Sequence, residues 1–387
     1  MNSIKFVHVT DIHIMGRNPV YRKDNFLETT KAKLAWVNKY AFDIGASAIL
    51  CTGDIFDRAD TAYSVLNDVV SIFESSHVPW ICIAGNHDIY GYNPETIPRT
   101  PYGTLRESRN ILTVGSYNNL YFDENVFELA NKKILVTGQD SDGFIDKRHS
   151  EDKYFDYGYY SEDTRTWYDI IIHLCHGYLT DTDLGSLIEH TKISEICNKI
   201  NADIVLTGHE HVGFGVVKRN GKLFVNPGAL TRTTSGEGDI NRDSQIAVIE
   251  IFENGEYDAN LVKVEIAKPS EEVIDIEKAK EEKDKKRNME NFINDLNEVD
   301  ISQLDVAERI NPMEYIDSLA STVFSNAGVP QNYIDGVKNI AKKSLEEAEQ
   351  RLGGEWCGCK IQECCNRQTY CSSVVYVLWR ERRVGIW

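Results

Sequence analysis

The 387-residue chain has no long hydrophobic run. Nothing in it reaches the roughly 20 apolar residues of a membrane-spanning helix, so no membrane partner is expected. No secretory leader is legible either: Met1-Asn2-Ser3 leads straight into the strand-like Ile4-Lys5-Phe6-Val7-His8-Val9. An excess of positive charge is also missing. The formal net charge of -18 argues against a wholly basic nucleic-acid coat, though not against a local basic groove. There is no internal repeat. Cys51, Cys82, Cys175 and Cys197 lie in apolar stretches and read as buried thiols. Five more, Cys357, Cys359, Cys364, Cys365 and Cys371, crowd the end of the chain without a regular metal-ligand spacing. The expected location is the cytoplasm, or the host cytoplasm for a phage-encoded chain, where thiols stay reduced.

What is present is the composition of a globular protein, 42% hydrophobic and 26% charged. The length suits two domains, or one large domain with an appendage. Up to residue 267, strands and helices alternate. Short apolar runs at 4–9, 48–51 and 80–83 read as buried strands. The spacing at 25–41 and 62–73 predicts helices. Later strands are expected at 134–137, 170–174, 204–207, 223–225, 246–251 and 261–266. This pattern predicts an α/β sandwich with mixed sheets. Segments 90–109 and 142–167 read as long loops beside the site. Residues 268–300 read as a charged linker or a reduced cap, 301–352 as an amphipathic helical hairpin, and 353–387 as a cysteine-rich tail of unclear status.

The chemistry-bearing residues follow strand ends, where α/β folds place their active-site loops. Asp11-Ile12-His13 follows the first strand, Gly53-Asp54 the second and Gly85-Asn86-His87-Asp88 the third. His176-Gly177 and Gly208-His209-Glu210-His211 follow two later strands. A carboxylate such as Asp54 bridges two cations through its two oxygens, and Asn86 offers an amide oxygen. Glycines let the backbone come close and take turn angles other residues resist. His8 and His173 fall inside strands and read as core residues. Any one of these motifs has a dull explanation; the ordered series points to a two-metal phosphoester-cleaving site.

The series resembles the calcineurin-like metallophosphoesterase superfamily over about the first 230 residues. The resemblance implies a four-layer α-β-β-α sandwich, here with a C-terminal helical extension. It also implies a dinuclear centre: Asp11, His13, Asp54 and His211 on one metal, and Asp54, Asn86, His176 and His209 on the other. His87 is then the residue that meets the phosphate or the leaving oxygen, with Asp88 orienting it. Two ions ~3.5–4 Å apart would activate water for in-line attack and offset the charge developing on the phosphoryl oxygens. Mixed imidazole and oxygen donors suit manganese, iron or zinc better than magnesium, and two Mn2+ ions are the expected cofactors.

Within the superfamily, Gly53-Asp54-Ile55-Phe56-Asp57 and Asn226-Pro227-Gly228-Ala229-Leu230-Thr231-Arg232 resemble SbcD-like DNA-repair exonucleases. That likeness implies a homodimer acting on DNA, with an SbcC-like coiled-coil ATPase docked on residues 301–352. Candidate DNA contacts are Tyr90, Tyr92, Arg99, Arg106 and Arg109 on the first loop, with Arg232 and Arg242 after the core. Two alternatives use related ligands: a phosphodiesterase of cyclic nucleotides or other small diesters, and, with a poorer motif match, a protein phosphatase.

Overall fold

The structure, a computed structural model, describes residues 2–115, 124–147 and 166–298, with single positions 335 and 339. The expected hairpin at 301–352 and the tail at 353–387 therefore lie outside the described residues, apart from those two positions. The chain divides into two compact units, Met1–Lys280 and Glu281–Trp387. No helix among the described residues is long and apolar enough to cross a membrane.

The strands in chain order are β1 (Ser3–Val9), β2 (Ala48–Cys51), β3 (Trp80–Cys82), β4 (Leu112–Thr113), β5 (Val126–Leu129), β6 (Lys132–Gln139) and β7 (Ile170–Cys175). Then come β8 (Leu179–Thr180), β9 (Thr191–Lys192), β10 (Ile204–Thr207), β11 (Gly215–Arg219), β12 (Lys222–Asn226), β13 (Gln245–Phe252) and β14 (Tyr257–Lys263). They build two mixed six-stranded sheets. One has the order β14-β13-β1-β2-β3-β4 and the other β11-β12-β10-β7-β6-β5; β8 and β9 form a small side pair.

Successive side chains on a strand point to opposite faces, and this divides the core. Phe6, Leu50 and Ile81 of the first sheet face Ile172, Leu174 and Leu206 of the second, forming a dry layer between the sheets. Val7, Val9, Ile49 and Trp80 point the other way, under the helices. Those helices are α1 (Phe26–Asp43), α2 (Tyr63–Glu74) and α3 (Pro101–Glu107). Phe26, Thr30, Lys33, Leu34, Val37 and Ala41 give α1 one buried stripe at i, i+4, i+7 spacing. Its start is fixed by Asn25, whose side chain accepts from the Glu28 amide. The outer face of the second sheet, with Ile171, Val205 and Phe224, is covered by the single-turn helix α4 (Ile193–Ile196), Ile200 and Ala202. The second helical layer of the expected sandwich is therefore thin among the described residues.

One expectation needs correction. The segment 90–109 is not an open loop: it holds a 3-10 helix, Pro94–Arg99, and then α3. A proline opens each, where its missing N–H costs nothing, and Asn93 and Thr100 cap them through their side chains. The stretch after Lys268, expected as a charged linker or a reduced cap, is largely helical. Helices α5 (Glu237–Asn241) and α6 (Ser270–Val273) precede the long α7 (Ile276–Glu298), and Val273 and Ile274 are buried.

β1, β2 and β3 run parallel, as do β7 and β10. The loops leaving the carboxyl ends of these five strands carry Asp11, Asp54, Asn86, His176 and His209.

Candidate metal centre

The structure brings together all seven residues expected to hold metal. Asp11, His13 and His211 converge in one cluster, and Asp54, His176 and His209 in a second. In the first, His211 Nε2 lies 3.5 Å and His13 Nε2 3.7 Å from Asp11 Oδ1. The two imidazole nitrogens are 3.1 Å apart. In the second, Asn86 Oδ1 lies 3.0 Å from His176 Nε2 and 2.9 Å from His209 Nδ1. Asp54 Oδ2 serves both clusters, 3.6 Å from His13 Nε2 and 3.2 Å from His176 Nε2. Donors ~2.1 Å from a shared cation sit about 3 Å from each other, which is the spacing found. The clusters are consistent with a dinuclear metal site.

The backbone is bent to make this possible. Asp11, His13, Asp54 and His209 all have positive φ, between 48° and 71°. Non-glycine residues avoid this region, and its cost of order 1–3 kcal/mol each is characteristic of functional sites. The strained loops brace one another. The Asp11 amide donates to the Gly53 carbonyl and the His13 amide to the Asp54 carbonyl. The His209 amide donates to the Asp11 carboxylate, which also accepts from Thr10 Oγ1. A Cβ on Gly85 would collide with the Asp54 carboxylate, and one on Gly208 with Thr10 Oγ1. The block 226–232 holds the same loops from behind. The Ala229 amide donates to the His211 carbonyl, the Leu230 amide to the Thr10 carbonyl, and Thr231 Oγ1 to the Ile12 carbonyl.

Electrostatics match a cation site. Asp11 and Asp54 are buried, and their ion-pair partners among the described residues are histidines only. Burial alone would raise both carboxyls. His176 instead holds Asp54 down to about 2, and hydrogen bonds from His13 and His211 hold Asp11 well below the carboxylate range. Burial disfavours a charged His176, yet the Asp54 carboxylate pushes it up to about 10. Burial and the neighbouring His176 bring His209 down to about 4. Buried anions neutralised by protons on imidazoles present a donor set that a divalent ion can take over. The rings are also aimed. A carbonyl only accepts, so His176 Nδ1, 2.6 Å from the Thr52 carbonyl, carries hydrogen and leaves Nε2 for the metal.

His87 is exposed and groups with His13 and Asp57, its ring edge-on to His13 with centroids 4.8 Å apart. Its amide donates to Asp54 Oδ1 at 2.8 Å. Its Nδ1 donates to the Asp57 carbonyl at 2.7 Å, so Nε2 is the nitrogen left to meet a substrate. Asp88 does not orient it. The Asp88 carboxylate is buried and accepts from the amides of Ile55, Phe56 and Gly85, tying the Asp54 loop to the Asn86 loop. The residue that orients His87 is Asp57, through its backbone carbonyl. A backbone carbonyl leaves no trace in residue type.

Of the proposed DNA contacts, Tyr92 lines a cavity beside Asn86, His176 and His209. The Arg99 guanidinium sits over the Tyr90 ring, 5.3 Å from its centroid. Arg106 pairs with Glu107 at 2.8 Å, and Arg109 is exposed. Arg232 overturns its expectation: it is buried and donates to the carbonyls of Asp239, Lys268 and Arg242. Arg242 is likewise buried, paired with Asp239 and donating to the Ala229 and Thr231 carbonyls. Both spend their charge inside the fold. His8 and His173 are buried, in keeping with a core role, as are the thiols of Cys51, Cys82, Cys175 and Cys197.

Residues 4–213 match the model of the calcineurin-like phosphoesterase family. A curated relative from Psychrobacter arcticus, described as a probable cyclic nucleotide phosphodiesterase, is 23% identical over 148 residues, 35% of this chain. The match spans about half of that relative, 52% of its length. Similar solved structures include the calcineurin-like phosphoesterase YfkN from Bacillus subtilis, 13% identical with a TM-score of 0.39, covering 68% of this chain and 91% of the other. A dimetal phosphatase from Danio rerio is 11% identical with a TM-score of 0.41, covering 67% of this chain and 99% of the other.

Proposed function

Because the chain belongs to the calcineurin-like phosphoesterase family, we propose that it is a metal-dependent phosphodiesterase of small diesters, cyclic nucleotides foremost. The observation that carries the reading is the pair of donor clusters meeting at Asp54. Asp11, His13, Asp54 and His211 would hold one divalent ion, and Asp54, Asn86, His176 and His209 the other, with manganese the candidate. Bound there, the ions supply Lewis acidity toward the phosphate and lower the pKa of an attacking water. His87 binds a phosphoryl oxygen through Nε2 and, when protonated, gives its proton to the leaving alkoxide. Asp57 keeps that ring in register through its carbonyl. The cyclic nucleotide assignment draws support from the Psychrobacter relative.

The nuclease reading, with its DNA substrate, homodimer and ATPase partner, rests on motif likeness and on the helical hairpin expected at 301–352, which lies outside the described residues apart from positions 335 and 339. Two of its proposed contacts, Arg232 and Arg242, face inward. The test strips the protein with a chelator, restores manganese, and assays bis(p-nitrophenyl) phosphate, cyclic AMP and linear DNA. Metal-dependent cleavage of the small diesters is expected, with His87→Ala slowing turnover at least about a hundredfold. Degradation of linear DNA with cyclic AMP left intact would return the assignment to a nuclease.

A further inference from the structure

Beside the second donor cluster a cavity of about 320 Å³ opens from Asn86, His176 and His209. Its size is at the lower end for an organic ligand, enough for one nucleoside-sized group. Two aromatic rings line it, Tyr92 and Tyr178. Tyr178 meets the His209 ring edge-on, centroids 5.6 Å apart, so its position is tied to the donor cluster. Tyr92 is 56% exposed, so its ring is accessible to a ligand. Around them stand three carboxylates, Asp142, Asp146 and Glu189, against one ammonium, Lys147. The carboxylates of Asp142 and Asp146 are fixed by the chain. Asp142 Oδ1 accepts from the amides of Phe144 and Ile145, and Asp146 accepts from the Tyr178 amide and Thr191 Oγ1.

This lining discriminates between substrates. A nucleic-acid strand carries a phosphate on either side of the scissile one, and its binders meet those phosphates with Lys and Arg. Here flanking phosphates would meet carboxylates. A single phosphodiester has no such neighbours, and a base bearing an amino group offers N–H donors to an acid-lined wall. We infer that this cavity is a nucleobase subsite: Tyr92 and Tyr178 stack an amino-bearing base, adenine being the probe of choice, and Asp142 and Glu189 accept from its N–H groups. The inference rests on the phosphodiesterase reading and adds the class of alcohol that the ester carries.

The experiment uses the full chain loaded with manganese and compares cyclic AMP with cyclic IMP, whose base has a carbonyl in place of the amino group. Bis(p-nitrophenyl) phosphate runs alongside as a check on the parent reading. kcat/KM should favour cyclic AMP about tenfold or more. Asp142→Asn combined with Glu189→Gln should shrink that preference to within about threefold, since an amide accepts and donates alike. The Asn side chain keeps the acceptor used by Phe144 and Ile145, so the turn is preserved. Tyr92→Ala should raise KM for cyclic AMP about tenfold while kcat moves less than about threefold. Cleavage of bis(p-nitrophenyl) phosphate together with equal use of cyclic AMP and cyclic IMP, or an unmoved KM in Tyr92→Ala, overturns the subsite and spares the parent reading. Failure to cleave any diester with metal present overturns the parent reading and the subsite with it.

Discussion

Asp88 and His87 are neighbours in sequence with separate duties, and substitution should separate them. Asp88 holds three amides that belong to the loops of Asp54 and Asn86. Asp88→Ala leaves those donors buried and unpaired, at about 1–3 kcal/mol each, and frees the Asp54 loop. Metal affinity should drop about tenfold or more in a manganese titration, whereas His87→Ala should keep its metal and lose turnover. Equal metal loading by Asp88→Ala and wild type would show that the loop stands without it. His8 governs a different property. It is fully buried, and burial brings its pKa down to about 3, with Asp11 acting in the opposite direction. An unfolded His8 takes up a proton below about 6.5, while the folded one stays neutral until about 3. Acidification across that window therefore favours the unfolded chain, by about 1.4 kcal/mol per pH unit at its steepest. His8→Gln should flatten the fall in melting temperature from pH 6 to pH 4. An unchanged slope would assign acid sensitivity to other groups.

At the scale of elements, the site is a set of strand-end loops whose close contact depends on hydrogen side chains. Gly85 faces Asp54 with no room for a methyl group. Gly85→Ala should leave the sheets intact by circular dichroism but abolish binding at the second cluster, because either Asp54 or the Asn86 loop must move. Full metal loading by that variant would refute the close approach. The same elements show what the sequence makes readable. The stripe Phe26, Leu34, Val37 and the cap Asn25 place α1 to within a residue or two. The strand ends before Asp11, Asp54 and Asn86 are marked by apolar runs that stop abruptly. The 3-10 helix and α3 were hidden because each is six or seven residues long. Periodicity over so few residues is weak, and their proline and cap signals also suit a turn. β14 begins at Tyr257, ahead of the expected 261, because Tyr257, Asp258 and Asn260 are polar residues on an edge strand, where only one neighbour demands pairing.

At the scale of the whole molecule, the donor set was legible because metal chemistry limits which residues can serve. Asp, His and Asn after strand ends are rare enough in ordered series to be read directly. The surroundings of the two clusters were less legible. Arg232 and Arg242 looked like surface charge in sequence, yet their guanidinium groups are used to cap carbonyls in the interior. The cavity lining is assembled from 92, 142–147, 178 and 189, and no spacing rule connects those positions. Stability should also depend on the ions. The carboxylates of Asp11 and Asp54 are both buried at the site, and a ligand that binds only the folded state adds about 2.7 kcal/mol at a hundred times its Kd. Chelation should lower the melting temperature by several degrees, and added manganese should restore it. A melting curve indifferent to chelator would show that the protons on His176 and its neighbours suffice.

The left-handed backbone at Asp11, His13, Asp54 and His209 acquires another meaning in a living cell. Newly made chains must hold those four residues in an unfavourable conformation before any ion arrives to reward it. Scarcity of the divalent ion would then reach this protein twice, first as idle copies and then as copies more open to proteolysis. Its steady-state abundance would follow the metal supply, making the amount of enzyme a record of the ion it needs.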